Sequence, residues 1–168
     1  TSILIANMNY KNINFSKLFS TNECVHSEDN EDGEFHSHEA GGRIVAIDND
    51  HVVLTTGPYR SRFLSQDKKS INGKLIKINI NNSDYEIISM GHRNPQGLYF
   101  DEENNFLLET EHGPQGGDEI NIIEINKDEI QNFGWAMVSA GEHYGGKIER
   151  NKEKYLKYGT IYGTKYCV

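Results

Sequence analysis

The sequence predicts an all-β domain, and three observations carry that prediction. Short stretches rich in β-branched and aromatic residues recur along the 168-residue chain. Clusters of Gly, Asn and Asp separate them, and the 3.6-residue apolar period of a helix is weak throughout. The first predicted strand, Ser2–Ala6, is a plain apolar run. Arg43–Ile47 and His51–Thr56 follow, joined at Asp48–Asp50 by a connection short enough for a hairpin. Lys74–Ile80 and Tyr85–Met90 form the next pair around Asn81–Asp84, and Gly97–Phe100 and Phe106–Thr110 a third around Asp101–Asn105. Asn and Asp suit these connections because their side chains bond the backbone of the turn. Glu119–Ile125 is the last predicted strand, and Lys127–Asn132 is expected to make one short turn of helix. Residues 24–38, CVHSEDNEDGEFHSH, have few apolar anchors and read as a long surface loop.

Closely paired antiparallel strands are the content of β-propeller blades, each of about 40 to 50 residues. Eight strands make little more than two blades. A small closed propeller, a sandwich and a piece of a larger propeller all satisfy this periodicity, and propensity does not choose among them.

Charge excludes some partners. Seventeen Lys and Arg stand against twenty-five Asp and Glu, for a net charge of −8. A phosphate backbone therefore has no long-range attraction to the chain, and nucleic acid is not an expected partner. No apolar run approaches the roughly 18 to 20 residues of a membrane-spanning helix. The first twenty residues lack the basic start and small-residue cleavage site of a signal peptide, as a mature or trimmed chain also would. Cys24 and Cys167 are too far apart in sequence to indicate either a pairing or a compartment.

Three polar clusters interrupt the strands. ETEHGPQGGDEINII, residues 109–123, places glycines and Pro114 between two strands. Glycine lets carbonyl oxygens approach a bound group, and nearby carboxylates suit a hard cation such as calcium. Glu111, Asp118 and Glu119 are the charged candidates; an ordinary acidic turn has the same composition. GHRNPQG, residues 91–97, offers His92, the planar fork of Arg93 and the amides of Asn94 and Gln96 to an anionic, oxygen-rich ligand. Local pairing of Arg93 with an acid is the structural alternative. FHSHEAGGRI, residues 35–44, contributes His36 and His38, either of which can act as a general base near neutral pH. Glu39 can also do so if a dry pocket raises its pKa.

Taken together, GHRNPQGLYF (91–100), TEHGPQGGDEINII (110–123) and NFGWAMVSAGEHYG (132–145), preceded by GGRI and NGKLIKI, resemble the soluble pyrroloquinoline quinone-dependent sugar dehydrogenases. This is the glucose/sorbosone and aldose sugar dehydrogenase family. The resemblance is strong over residues 35–146 and loose at both ends. It implies part of a six-bladed β-propeller, about two to three blades of four antiparallel strands across residues 1–168, exported to the periplasm or secreted. It also implies that calcium bridges protein and quinone above the propeller axis.

Carried over residue by residue, Arg93 and Asn94 match quinone contacts. The carbonyls of Gly113 and Pro114 match ligands of the calcium at the cofactor, while the Glu119 side chain and the Phe133 carbonyl match ligands of a second, structural calcium. The reaction implied is oxidation of an aldose at C1, with His38 as the base. Two departures stand out. The family's histidine lies four residues before the arginine of the GGR-like motif, a place taken here by Glu39, with His38 one residue farther away. Ala136 stands where the family tends to have proline. The motifs of the later blades are also missing, so these residues alone are expected to be inactive, or to work with the missing blades or by self-association. A non-catalytic, calcium-stabilised binding propeller is the alternative, and the electron acceptor is left open.

Overall fold

A computed structural model describes residues 1–26 and 38–141. Within them the chain forms ten strands and one 3-10 helix, so the all-β expectation is met. Strands β1 (Ser2–Ile5) and β2 (Ser16–Ser20) form an antiparallel hairpin. Strands β3 (Gly41–Ala46), β4 (His51–Thr56), β5 (Lys74–Asn79) and β6 (Tyr85–Met90) form an antiparallel meander of four strands in sequence order. The 3-10 helix, Arg62–Gln66, lies in the connection from β4 to β5. Strands β7 (Pro95–Asp101), β8 (Phe106–Glu111) and β9 (Glu119–Glu124) make a second antiparallel sheet. Short β10 (Gln131–Asn132) returns to the first sheet and pairs parallel to β6.

The three expected hairpin connections are present and are closed by side-chain caps. Asp48 Oδ1 accepts the N–H groups of Asp50 and His51, Asn79 Oδ1 accepts that of Asn81, and Asp101 Oδ1 accepts that of Asn104. Two elements depart from expectation. Residues 128–129 are a bend, 127 and 130 are irregular, and Gln131–Asn132 is strand, so the expected helical turn at Lys127–Asn132 is absent. Asn132 is drawn instead to the edge of β6, where its side chain exchanges hydrogen bonds with Gln66. Strand β2 is the other difference: SKLFS has only two apolar residues, too few to signal a strand without its partner.

Alternation along the strands builds the core in two layers. Leu54, Ile76 and Ile78 face the β1–β2 hairpin and bury Leu18 and Phe19 with Ile71. Val53 and Leu75 point the other way, where they meet Leu107, Ile123 and Ile125 beside Ile88. The four-strand meander is therefore covered on both faces, which explains why HVVL and KLIKI read as nearly continuous apolar runs. Each buried aliphatic side chain contributes roughly 1.5–3 kcal/mol by leaving water. The stacking of the two sheets brings their loop ends together.

Candidate functional site

Three connections converge: residues 91–94 between β6 and β7, residues 112–118 between β8 and β9, and the segment leading into β3. Glu111, the last residue of β8, ties the first two together. Its Oε2 accepts the backbone N–H groups of Arg93, in a short contact, and of Asn94 at 3.1 Å. Its Oε1 lies 3.2 Å from both His92 Nδ1 and Asn121 Nδ2. A buried carboxylate that gathers several donors in this way fixes the path of the loop that donates them.

Arg93 extends from that anchor across the site. Its Nη1 donates to the His112 carbonyl at 2.7 Å and its Nη2 lies 2.7 Å from Glu39 Oε1. The guanidinium carbon stands 5.4 Å from the centroid of the Trp135 ring, within range of a cation–π attraction. Arg93 Nε is buried and has no hydrogen-bond partner, and neither has Glu39 Oε2. The Asn94 Oδ1 accepts from the Gly41 backbone and from Gln96 Nε2, each at 3.4 Å.

Two glycines permit this convergence. A Cβ on Gly57 would lie 1.9 Å from the Glu39 carbonyl oxygen, and one on Gly113 would lie 1.7 Å from that of Gly117. Neither approach is possible for any other residue. The 112–118 connection is further closed by Gly113 N–H donating to Asp118 Oδ1 at 3.1 Å and Gly117 N–H donating to the Pro114 carbonyl at 2.8 Å.

Arg93, Asn94, Gly113 and Pro114 thus lie on two connections that Glu111 and the His112 carbonyl hold together. Glu119 sits directly across from Glu111 in the β8–β9 register, and Phe133 stacks on the His92 ring at 5.0 Å. His38 is exposed; its neighbour Glu39, at φ 63°, is the residue turned inward onto Arg93. Arg60 Nε lies 3.6 Å from the same Glu39 oxygen. His36 lies outside the described residues. Beside these loops is an open groove of about 540 Å³ lined by Arg43, Gln96, Thr110, Glu111, His112 and Glu119, among others.

The sequence reading did not single out His92, Glu109 and Asn121 as a group. On β8, Leu107, Glu109 and Glu111 share the inward face, and the register sets them opposite Ile123, Asn121 and Glu119. The inward face is thus apolar at one end and carboxylate at the other. Asn121 Nδ2 lies 2.9 Å from Glu109, 3.2 Å from Glu111 and 3.4 Å from Glu119. Burial, then the charge of Glu111, pushes the Glu109 carboxyl up to about 8. The same two causes, in the same order, raise Glu119 to about 7. Period-two alternation was the signal that could have found these residues: within FLLETE and EINIIE the polar Glu109, Glu111, Glu119 and Asn121 fall in the same alternating register as the core residues Leu107 and Ile123.

Comparison with known proteins places this geometry. The Glucose / Sorbosone dehydrogenase family profile matches residues 5–160. Aldose sugar dehydrogenase YliI of Escherichia coli is 34% identical over 119 residues, covering 63% of this chain and 31% of that protein. Quinoprotein glucose dehydrogenase B of Acinetobacter calcoaceticus is 33% identical over 105 residues, covering 56% of this chain and 21% of its own length. The crystal structure of the soluble E. coli aldose sugar dehydrogenase in its apo form superposes with a TM-score of 0.67 at 26% identity, over 86% of this chain and 43% of that one. The PQQ-bound aldose sugar dehydrogenase of Streptomyces coelicolor gives 0.52 at 31% identity, over 67% and 34%. The chain spans less than half the length of each of these relatives. With a profile match over most of its length and the two motif loops bound to each other, the chain belongs to the glucose/sorbosone dehydrogenase family.

Proposed function

We propose that this chain supplies part of a six-bladed propeller, periplasmic or secreted, that oxidises an aldose at C1 using pyrroloquinoline quinone and calcium. About two to three of the blades fall within residues 1–168. The observation that carries this reading is the coupling of Arg93 and Asn94 to the 112–118 connection through Glu111 and the His112 carbonyl. That coupling sets the two proposed contact loops, one for an anionic cofactor and one for its cation, at a fixed separation.

The residues present fit such a group. Arg93 has a buried, unused Nε donor beside the face of Trp135, suited to a flat, negatively charged ligand. Gly113 admits close backbone approach, and the Pro114 carbonyl, engaged once by Gly117, keeps a second lone pair for a hard cation. The Glu119 carboxylate and the Phe133 carbonyl would hold a second, structural calcium. Bound there, the quinone and calcium would supply an acceptor for the hydride of sugar C1. The chain's own part is to seat the cofactor and move one proton. His38, exposed and next in sequence to Glu39, would take the proton of the anomeric hydroxyl.

A second reading has a specific observation behind it. Glu39 already occupies Arg93 Nη2 at 2.7 Å, and an acidic side chain there opposes an anionic ligand. A propeller that binds calcium and a partner without oxidising sugar would keep that ion pair.

Reconstitution with quinone and calcium tests both, using the 168-residue chain and a polypeptide that adds the remaining blades. The expected result is sugar-dependent reduction of an artificial electron acceptor by the longer polypeptide and none by these residues alone. His38→Gln should lower the rate by about 10² to 10⁴ with quinone still bound. Loss of rate in Glu39→Gln with His38→Gln unaffected would move the base to Glu39. Bound quinone with no turnover in the wild type would favour the binding propeller.

A further inference from the structure

Behind Glu111, the fully buried His92 and Glu109 make a donor set that the proposed sugar chemistry does not use. His92 Nδ1 lies 3.2 Å from Glu111 Oε1 and 3.6 Å from Glu109 Oε2. On its other side, His92 Nε2 is 2.8 Å from Ser89 Oγ. With Ser89 Oγ–H donating to Nε2, Nδ1–H donates to Glu111; with Nε2–H donating to Ser89 instead, Nδ1 offers a lone pair to a cation between the two carboxylates, and in either tautomer at most one imidazole hydrogen reaches them.

The hydrogen count shows the same deficit. Asn121 Nδ2 carries two hydrogens but is the shared neighbour of three carboxylates, Glu109, Glu111 and Glu119. Glu109 Oε1 is buried and has no hydrogen-bond partner at all. Among the described residues, His92 is the only basic side chain that pairs with Glu109 or Glu111. Uncompensated carboxylates in a dry interior are strongly unfavourable.

From this geometry we propose that His92, Glu109 and Glu111 form a buried site for a first-row divalent cation such as zinc or manganese. Bond lengths of about 2.0–2.2 Å for nitrogen and carboxylate ligands put neighbouring donors of a tetrahedral or octahedral site roughly 3.0–3.5 Å apart. The two contacts at His92 Nδ1 are close to that spacing before any ion draws them in. One imidazole nitrogen among carboxylates selects a transition-metal ion over calcium, which takes oxygen donors. Ser89 would orient the imidazole from behind, as outer-shell partners of metal-bound histidines do. None of the three donors belongs to the calcium ligands proposed above. An ion here would lock the β6–β7 connection to β8 from the inside, beneath Arg93.

The test uses the full chain after chelator treatment, titrated with Co²⁺ in excess calcium so that all-oxygen sites are filled. One equivalent should bind, with visible d–d absorption, and Zn²⁺ should displace it. Glu109→Gln keeps the shape of the side chain and its bond to Asn121 but removes a charged ligand, and should weaken Co²⁺ binding at least tenfold. Its circular dichroism should match that of the wild type and its melting temperature in chelator should be no lower, which separates loss of a ligand from loss of fold. The proposal is overturned if the wild type binds neither Co²⁺ nor Zn²⁺ stoichiometrically, because a proton then satisfies the cluster. It is equally overturned if Glu109→Gln binds as tightly, or if calcium alone displaces Co²⁺.

Discussion

Lys74 is fully buried on β5, yet each of its ammonium hydrogens has an acceptor. The carbonyls of Leu64, Ser65 and Asn72 stand at 2.7, 3.0 and 2.8 Å from Nζ. One side chain thereby pins the 3-10 helix and the return loop against the meander. Burial lowers its pKa from 10.5 to about 8, against the opposing pull of Glu23 and Asp67. Because the folded value lies below the unfolded one, the unfolded chain binds more protons between pH 8 and 10.5. Within that window the stability contributed by Lys74 rises with pH. Lys74→Met leaves the Asn72 carbonyl without a donor and takes one bond each from the Leu64 and Ser65 carbonyls, which keep the N–H groups of Asp67 and Gly91. It should therefore cost about 1–3 kcal/mol, as for one unsatisfied group. Urea midpoints at pH 7.5 and 10 should show the gap between wild type and variant widening at the higher pH. A gap that narrows would mean that the carbonyl bonds, not burial, set the pKa. Legibility at this scale followed chemistry: Arg93 and Gly113 stood out in sequence because a guanidinium and a glycine in a polar loop are conspicuous. Lys74 and Glu109 did not, since nothing local distinguishes an inward lysine or glutamate from the solvated ones that outnumber them.

Along each element the apolar pattern was readable wherever both neighbours were strands. HVVLTT and KLIKIN gave themselves away through β-branched residues, and their turns through Asp48–Asp50 and Asn81–Asp84. The SKLFS strand was hidden because its burial depends on a hairpin partner fourteen residues upstream and on the meander beneath it. Strand β8 shows how one element serves both stability and site. Leu107 is fully buried between the sheets, Leu108 is half-buried on the opposite face, and Glu111 ends the strand at the loops. Leu107→Ala should therefore destabilise the chain by about 2–5 kcal/mol, through lost burial and the cavity left behind. Leu108→Ala should cost less than half as much. Guanidinium denaturation of the two variants decides this, and equal losses would show that the outward face of β8 is as well packed as the inward one.

At the scale of the molecule, that outward face carries exposed apolar side chains. The register aligns Tyr99, Leu108 and Ile122 in one row across β7, β8 and β9, with Ile120 beside it. Tyr99 is 61% exposed, Ile120 77% and Ile122 58%. A contiguous apolar row on a sheet face is a surface built for packing, and the relatives are more than twice as long as the stretch this chain covers. We therefore expect that face to be covered by a further sheet in the longer polypeptide and by self-association when residues 1–168 are alone. Sedimentation should show a mass above 19.1 kDa that grows with concentration. Ile122→Lys should return the short chain to a monomer with unchanged circular dichroism, because the substitution touches neither core layer. In the longer polypeptide the same change should instead lower stability by about 1–3 kcal/mol, since it places a charge and a shape mismatch in a packed layer. A short chain that stays monomeric at every concentration, together with a longer one indifferent to Ile122→Lys, would mean that this row faces solvent in both and that the sheet ends where β9 does.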